Sequence, residues 1–289
     1  MKTGSLFIII LSLWFTAFGQ QAQQPEVFEP GVISLPDRYE FGSVLNKSAD
    51  ELYFGVSLGG RSEILYTKRV NDEWTEPVVI ISDSVYGYND PMLSPDESKL
   101  YFISDRPLDG RGNPKDIDIW YVNKTTDGWS EPVNAGPAIN TERNEYYISF
   151  TASGAMYFAS NRSAAEDQLY NYDIYRSENL DGVFQVPDKL PEAINTGRYE
   201  ADVFVAPDES YLIFSANHKD GLGRGDLYIS FKDEHGHWTT AENMGALINS
   251  EGHELCPFVS ADGQYLYYTS REDIYRIDAS VIDRYRADQ

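Results

Sequence analysis

A chain of 289 residues with 46 acidic against 23 basic side chains carries a formal charge of −23, which repels nucleic acid and anionic lipid and steers basic partners or cations toward it. Its one cysteine excludes an internal disulfide, and Leu255-Cys256-Pro257-Phe258 reads as a buried apolar segment rather than the setting of a nucleophile.

Residues 1–19 combine Lys2, an apolar stretch over 6–18 and the step Ala17-Phe18-Gly19 before a Gln-rich run, the pattern of a secretory signal peptide. The stretch is shorter than the roughly 20 apolar residues a membrane anchor needs. No cysteine near the cut offers a lipidation site. The protein is therefore expected to be exported, to the periplasm or the extracellular space, with no membrane span.

Residues 20–289 are expected to form a single domain, because one pattern fills them. The triplet Leu52-Tyr53-Phe54 returns at Leu100-Tyr101-Phe102, Met156-Tyr157-Phe158, Leu212-Ile213-Phe214 and Leu266-Tyr267-Tyr268, with centres 48, 56, 56 and 54 residues apart. Five copies at that period mean a repeat fold, and an apolar period of two excludes a helical solenoid. Each triplet follows a turn such as Pro95-Asp96-Glu97-Ser98 or Ala261-Asp262-Gly263-Gln264, so it is the second strand of a hairpin. A third strand follows at Asp118-Ile119-Trp120 and its counterparts, and a fourth is expected around Trp129 to Val133. The spacing from third-strand acid to next aromatic is 11 for Glu63 to Trp74, Asp118 to Trp129 and Asp173 to Phe184, and 12 for Asp226 to Trp238. Four strands and a bridge of fixed length describe a propeller blade. The aromatics at Trp74, Trp129, Phe184 and Trp238 recur too regularly for a sugar platform and are expected to pack adjacent blades together.

The repeats fall at about 40–82, 88–141, 145–196, 200–250 and 254–277, and the last lacks its fourth strand. The missing piece lies at the start, where Glu26-Val27-Phe28-Glu29-Pro30 parallels Glu73-Trp74-Thr75-Glu76-Pro77. The fold expected is an all-β, five-bladed β-propeller closed by an N-terminal outer strand at 26–33, which removes the open edges of the array.

Residues 94–106, Ser-Pro-Asp-Glu-Ser-Lys-Leu-Tyr-Phe-Ile-Ser-Asp-Arg, with Asp118-Ile119-Trp120, resemble the TolB-type, WD-like propeller repeat of bacterial envelope proteins. The continuation Trp129-Ser130-Glu131-Pro132-Val133-Asn134 and Ile139-Asn140-Thr141 is similar to propellers that accompany peptidoglycan-binding domains. The resemblance spans about residues 26–277 and implies a periplasmic or envelope setting. Neither an additional N-terminal domain nor a peptidoglycan-binding domain is expected in this chain.

The recurring acids supply the candidate site. A glutamate stands five residues after the Asn of Ile-Asn-Thr/Ser at Glu145, Glu200 and Glu254, Glu40 holds the like place in the first repeat, and Tyr88 holds it in the second. Each begins an innermost strand, so the four glutamates, with Asp90 and Asp202 close by, are expected to ring one mouth of the channel and to take a cation or a basic peptide. The structural reading, which the hairpin geometry favours over ligand binding, pairs them with basic neighbours on the same hairpin. Counting residues along each hairpin sets Glu254 opposite Arg271 and Glu145 opposite Arg162, puts Asp90 and Arg106 at one end of a blade, and leaves Glu200 with Asn217 and His218. That substitution makes the fourth blade, with Glu200, Asp202 and His218, the place where a partner would gain most. The longer loops at 105–115, 163–171 and 218–225 are expected on the same face.

No catalytic residue, metal site or cofactor is expected: Asp105, Asp109 and Asp116 lack calcium-loop spacing, and Gly221-Leu222-Gly223 opens a strand rather than a helix. The reading is a monomeric, non-catalytic module binding an envelope protein, peptide or glycan. A five-bladed glycoside hydrolase using channel carboxylates is the alternative. A peptidase propeller is weakest, since no Gly-x-Ser-x-Gly elbow occurs.

Overall fold

The second strand of every repeat is apolar on both faces, so it must sit inside a sheet and between sheets. In the computed structural model, which describes residues 24–286, it does: Leu52, Phe54, Leu100, Phe102, Leu212, Phe214 and Leu266 are completely buried. The described residues build five small antiparallel sheets arranged as a five-bladed β-propeller. Blade one pairs Glu40–Leu45, Glu51–Ser57, Ser62–Val70 and Val78–Ile81 in that order. Blade two uses Tyr88–Leu93, Lys99–Ser104, Asp118–Thr125 and Val133–Asn134. Blade three uses Glu145–Phe150, Met156–Ser160, Asp173–Ser177 and Asp188–Lys189, and blade four Glu200–Val205, Tyr211–Ala216, Asp226–Phe231 and Glu242–Asn243.

The N-terminal segment closes the ring as the sequence predicts, through a strand at Glu26–Val27 rather than over 26–33. Blade five consists of Leu255–Val259, Tyr265–Ser270 and Asp273–Asp278, completed by Glu26–Val27 from the start of the chain. Glu26 lies opposite Arg276 and Val27 opposite Tyr275, while Phe28 packs edge-on against Tyr267 of its own blade and Trp74 of the next. Burying the Phe28 ring alone contributes about 2–3 kcal/mol to holding the ring shut.

The register of the outer strands differs from the expectation. Glu73–Trp74 and Gly128–Trp129 extend the third strand into a hairpin, and the outer strand comes after the proline, at Val78–Ile81 and Val133–Asn134. Pro25-Glu26-Val27 therefore matches Pro77-Val78-Val79 and Pro132-Val133-Asn134, not Glu73-Trp74. Proline precedes the strand because it cannot donate to the ladder there. The aromatics bridge blades as expected: Trp129 meets Tyr53, and Phe184 meets Tyr101.

The hairpin turns of blades two, four and five are each locked by an aspartate, Asp96, Asp208 and Asp262. Asp96 accepts bonds from the Ser94 hydroxyl and from the Ser98 amide and hydroxyl, which hold its carboxyl down to about 2, and Glu97 takes the left-handed position that follows.

The innermost strands all break at one place. The pairing of first to second strand slips between Phe41 and Val44, Asn89 and Met92, Tyr146 and Ile148, Ala201 and Phe204, and Leu255 and Phe258. The residue at the bulge is left-handed in every blade: Gly42, Asp90, Tyr147, Asp202 and Cys256, with φ between 42° and 57°. Only glycine takes that conformation freely, so four blades hold a side chain there at a cost of about 1–2 kcal/mol each.

Candidate functional site

The four glutamates are completely buried, and their partners explain why they repeat. Glu145 accepts from the Thr141 amide at 3.0 Å, the Thr141 hydroxyl at 2.9 Å, the Ser160 hydroxyl at 2.9 Å and Arg162 at 3.1 Å. Burial still pushes its carboxyl above the usual range, with these donors opposing the shift. Glu254 accepts from the Ser250 amide and hydroxyl and from the Ser270 hydroxyl at 2.8 Å. Glu200 takes the Thr196 hydroxyl and His218 at 3.2 Å, and Glu40 takes the Leu35 amide and Arg38. These acids tie the incoming interblade turn to the innermost strand. They do not form the open carboxylate ring expected at the mouth.

Two expected pairings change as well. The bulge consumes one residue of the innermost strand, so Glu254 stands beside Ser270, and Arg271 becomes the exposed first residue of a two-residue turn. Arg106 lies over the Trp120 ring at 5.6 Å and meets Tyr88 rather than Asp90. Arg162 does reach Glu145, and His218 does stand in for arginine beside Glu200 while resting 4.4 Å from the Tyr228 ring.

The recurring asparagine is also structural. The Asn140 amide group accepts from Ile119 N and donates to Ile119 O, and Asn195 and Asn249 do the same to Ile174 and Leu227. Each substitutes a side chain for a strand residue and clips the interblade turn to the third strand.

The bulge residues close the channel. Tyr147 reaches from blade three to donate to the Pro257 carbonyl of blade five at 2.9 Å, so the channel is blind rather than open. The Cys256 thiol donates to Asp90 Oδ1 at 3.5 Å, and the Cys256 backbone donates to Asp202. A Cβ on Gly42 would meet Asp90 Oδ1 at 2.6 Å, so glycine in blade one makes the space in which the Asp90 carboxyl sits.

Asp90 and Asp202 are about nine-tenths buried and keep a small exposed face in a cavity of about 470 Å³. Burial pushes Asp90 up to about 7; burial and the neighbouring Asp90 charge push Asp202 up to about 8. Burial and the two carboxylates hold the Cys256 thiol well above its usual value, so it stays protonated and is a poor nucleophile. Tyr39, Tyr146 and Tyr199 wall the cavity, with Arg61, Asp105 and His253 also on its lining. Tyr146, Tyr172, Tyr199 and His253 form a chain of edge-to-face rings with centroids 5.0, 5.7 and 6.4 Å apart. A second groove of about 540 Å³ shares Tyr146 and Tyr199 and leads over blade three past Arg143 and Tyr170. The opposite mouth is a different surface, a cavity of about 700 Å³ lined by Val44, Met92, Phe150, Phe204 and Phe258 beside the hairpin turns.

Of the sequence candidates, the structure brings Asp90 and Asp202 together at the channel, places Glu40, Glu145, Glu200 and Glu254 at the start of the innermost strands where they hold the interblade turns, and places His218 in the loop between the second and third strands of blade four. Sequence reasoning missed Tyr39, Tyr146, Tyr199 and His253. Tyr39, Tyr199 and His253 stand just before the repeating glutamates, a position that could have been read as variable and therefore outside the packing pattern.

No protein-family model matches the chain, and no curated protein matches it in sequence. Among solved structures it is similar to a thermostable family-43 glycoside hydrolase, with a TM-score of 0.55 and 15% identity over 86% of this chain and 90% of that one. It is likewise similar to the α-L-arabinofuranosidase PaAbf62A from Podospora anserina, with a TM-score of 0.53 and 11% identity over 89% of this chain and 96% of that one. TolB from Acinetobacter baumannii follows with a TM-score of 0.50 and 13% identity over 83% of this chain. The match covers 54% of that TolB, so the chain spans about half its length. At these identities the likeness is one of fold.

Proposed function

We propose that this chain is an exported, non-catalytic propeller that binds an envelope protein, peptide or glycan at the channel mouth formed around Asp90 and Asp202. The observation that carries the reading is the divergence of the bulge ring. The glutamates of four blades and the second-strand triplets around it repeat, yet its five positions hold glycine, aspartate, tyrosine, aspartate and cysteine, two of them carboxyls turned into a cavity. Strain held at non-repeating positions and buried acids with few donors are costs that packing alone does not explain. The apolar leader over residues 6–18, which lies outside the described residues, supports export. No helix among the described residues is long and apolar enough to cross a membrane.

The hydrolase reading has the fold in its favour, since glycoside hydrolases are among the similar structures. Glycoside hydrolysis needs two carboxyls whose environments push them apart, one held as acid and the other ionised. Here burial moves both in the same direction. Incubation with arabinan, xylan and peptidoglycan, followed by reducing-end assay, is expected to show no turnover above a blank. Fractionated envelope material is expected to raise the melting temperature of the wild type but not of Asp90→Asn/Asp202→Asn. Turnover abolished by the same double substitution would replace this reading with the hydrolase.

A further inference from the structure

Four of the buried acids among the described residues have a resident arginine or lysine. Glu145 has Arg162, Glu40 has Arg38, Asp118 has Lys115, and Asp173 has Lys189. Glu254 and Asp226 lack one but are saturated instead, Glu254 by a backbone amide and two hydroxyls, Asp226 by two backbone amides and the Asn243 side chain. At the channel the provision is thin. Asp90 receives a weak thiol donor at 3.5 Å and Asp202 one backbone donor, although both face a cavity large enough for several heavy atoms. Two adjacent carboxyls in a low-dielectric site are poorly stable as a pair of anions until a cation joins them.

Resting on the reading that this mouth is the ligand site, we propose that it receives an alkylammonium group, a lysine side chain or a free amine, seated against Asp90 and Asp202 within the wall of Tyr39, Tyr146 and Tyr199. The carboxyls supply the counter-charge and accept the ammonium protons. The tyrosine rings offer the electron-rich surface that desolvated cations prefer. The acidic balance of the whole chain steers such a ligand inward. Arg61 on the lining forms no ion pair with either carboxyl and instead donates to the Asp83 carbonyl at 2.8 Å. Asp105 adds negative charge while accepting from Gly87 N.

An ammonium and a neutral sugar are separated by the sign of the pH response. The ammonium needs the carboxyls ionised, so its affinity rises with pH through the range where Asp90 and Asp202 lose their protons, about 7 to 8. A neutral polyol held by protonated carboxyls weakens over the same range. The other titratable groups facing the pair leave that sign intact. Burial and the Arg224 charge keep His253 low and neutral, and burial holds the Tyr39, Tyr146, Tyr147 and Tyr199 hydroxyls and the Cys256 thiol above their usual values; Arg61 and Asp105 are the remaining charged side chains on the lining.

Calorimetric titration at pH 6 and pH 8.5 with 1,5-diaminopentane, acetyl-Ala-Lys-Ala-amide and cellohexaose tests the inference. At least one amine-bearing probe is expected to bind, about tenfold more tightly at pH 8.5, and to lose tenfold or more in Asp90→Asn/Asp202→Asn. Binding of the diamine alone assigns a small amine; binding of the peptide assigns a protein or peptide source. Tyr199→Ala, checked by melting to be folded, is expected to weaken the same probe while leaving the carboxyls in place. Binding of cellohexaose alone, an affinity that falls as pH rises, or no binding of either amine overturns the ammonium. Cellohexaose binding lost in the double variant would keep this mouth as the ligand site, whereas probe binding indifferent to the double variant would remove the site itself.

Discussion

Glu200 and Asp202 stand two residues apart on one strand, both acidic and both buried, yet they belong to different parts of the molecule. Glu200 recurs as Glu40, Glu145 and Glu254, each time held by donors from the preceding interblade turn. Asp202 has a counterpart only in Asp90, and the two share a cavity with hardly a donor between them. The difference teaches that a buried acid is read by its donors rather than its burial. Where the fold supplies them, the acid is part of the frame; where it withholds them, the acid is left for something else.

Both acids depend on the ring being closed, so the largest effect comes from opening it. Removing residues 24–32 takes away the outer strand of blade five and the buried Phe28, and is expected to cost more than about 4 kcal/mol, read as a collapse of the denaturation midpoint. An unchanged midpoint would contradict closure by this strand. Glu145→Ala is next. It leaves Arg162 without its carboxylate and several donors unpaired, and a loss of about 3–5 kcal/mol is expected by chemical denaturation. A loss under about 1 kcal/mol would erase the distinction between the two kinds of acid.

The channel pair should respond in the opposite sense. Its carboxyls are raised when folded, so between about pH 4 and 8 the native state binds more protons than the unfolded chain, and rising pH removes stability. Asp90→Asn/Asp202→Asn is therefore expected to match wild type near pH 4 and to exceed it at pH 8 by several kcal/mol, on the order of 4 kcal/mol for each carboxyl. A double variant less stable than wild type at pH 8 would show that the ionised pair is satisfied. The smallest effect concerns blade five. Glu254→Gln and Arg271→Met are expected to add within about 0.5 kcal/mol, while Glu254→Gln and Ser270→Ala are not. Coupling between Glu254 and Arg271 in such a cycle would restore the pairing that the bulge prevents.

The five blades, their order and the closing strand were legible because each rests on period-two burial and on spacing, which a linear sequence carries. The outer strand was misplaced because Trp74 and Trp129 look like strand residues and do sit in a hairpin, one that extends the third strand. The site was half legible. Asp90 and Asp202 were visible as acids, but what turns them into the channel is a left-handed bulge, and only Gly42 among its five residues advertises that conformation. The same unseen bulge moved Glu254 from Arg271 to Ser270, since one extra residue in a strand shifts every later partner. The tyrosine wall assembles from three blades and has no sequence spacing to betray it.

The contrast between framed and unframed acids is tested most directly by carboxyl-carbon NMR titration, with Asp90 and Asp202 assigned through their single Asn variants. Because the two interact, they should titrate as a pair in two steps close to 7 and 8. Two steps near neutrality that vanish in the double variant are the result expected. Titration of both carboxyls below about pH 5 would mean that the channel already stabilises their charge, and would contradict the account.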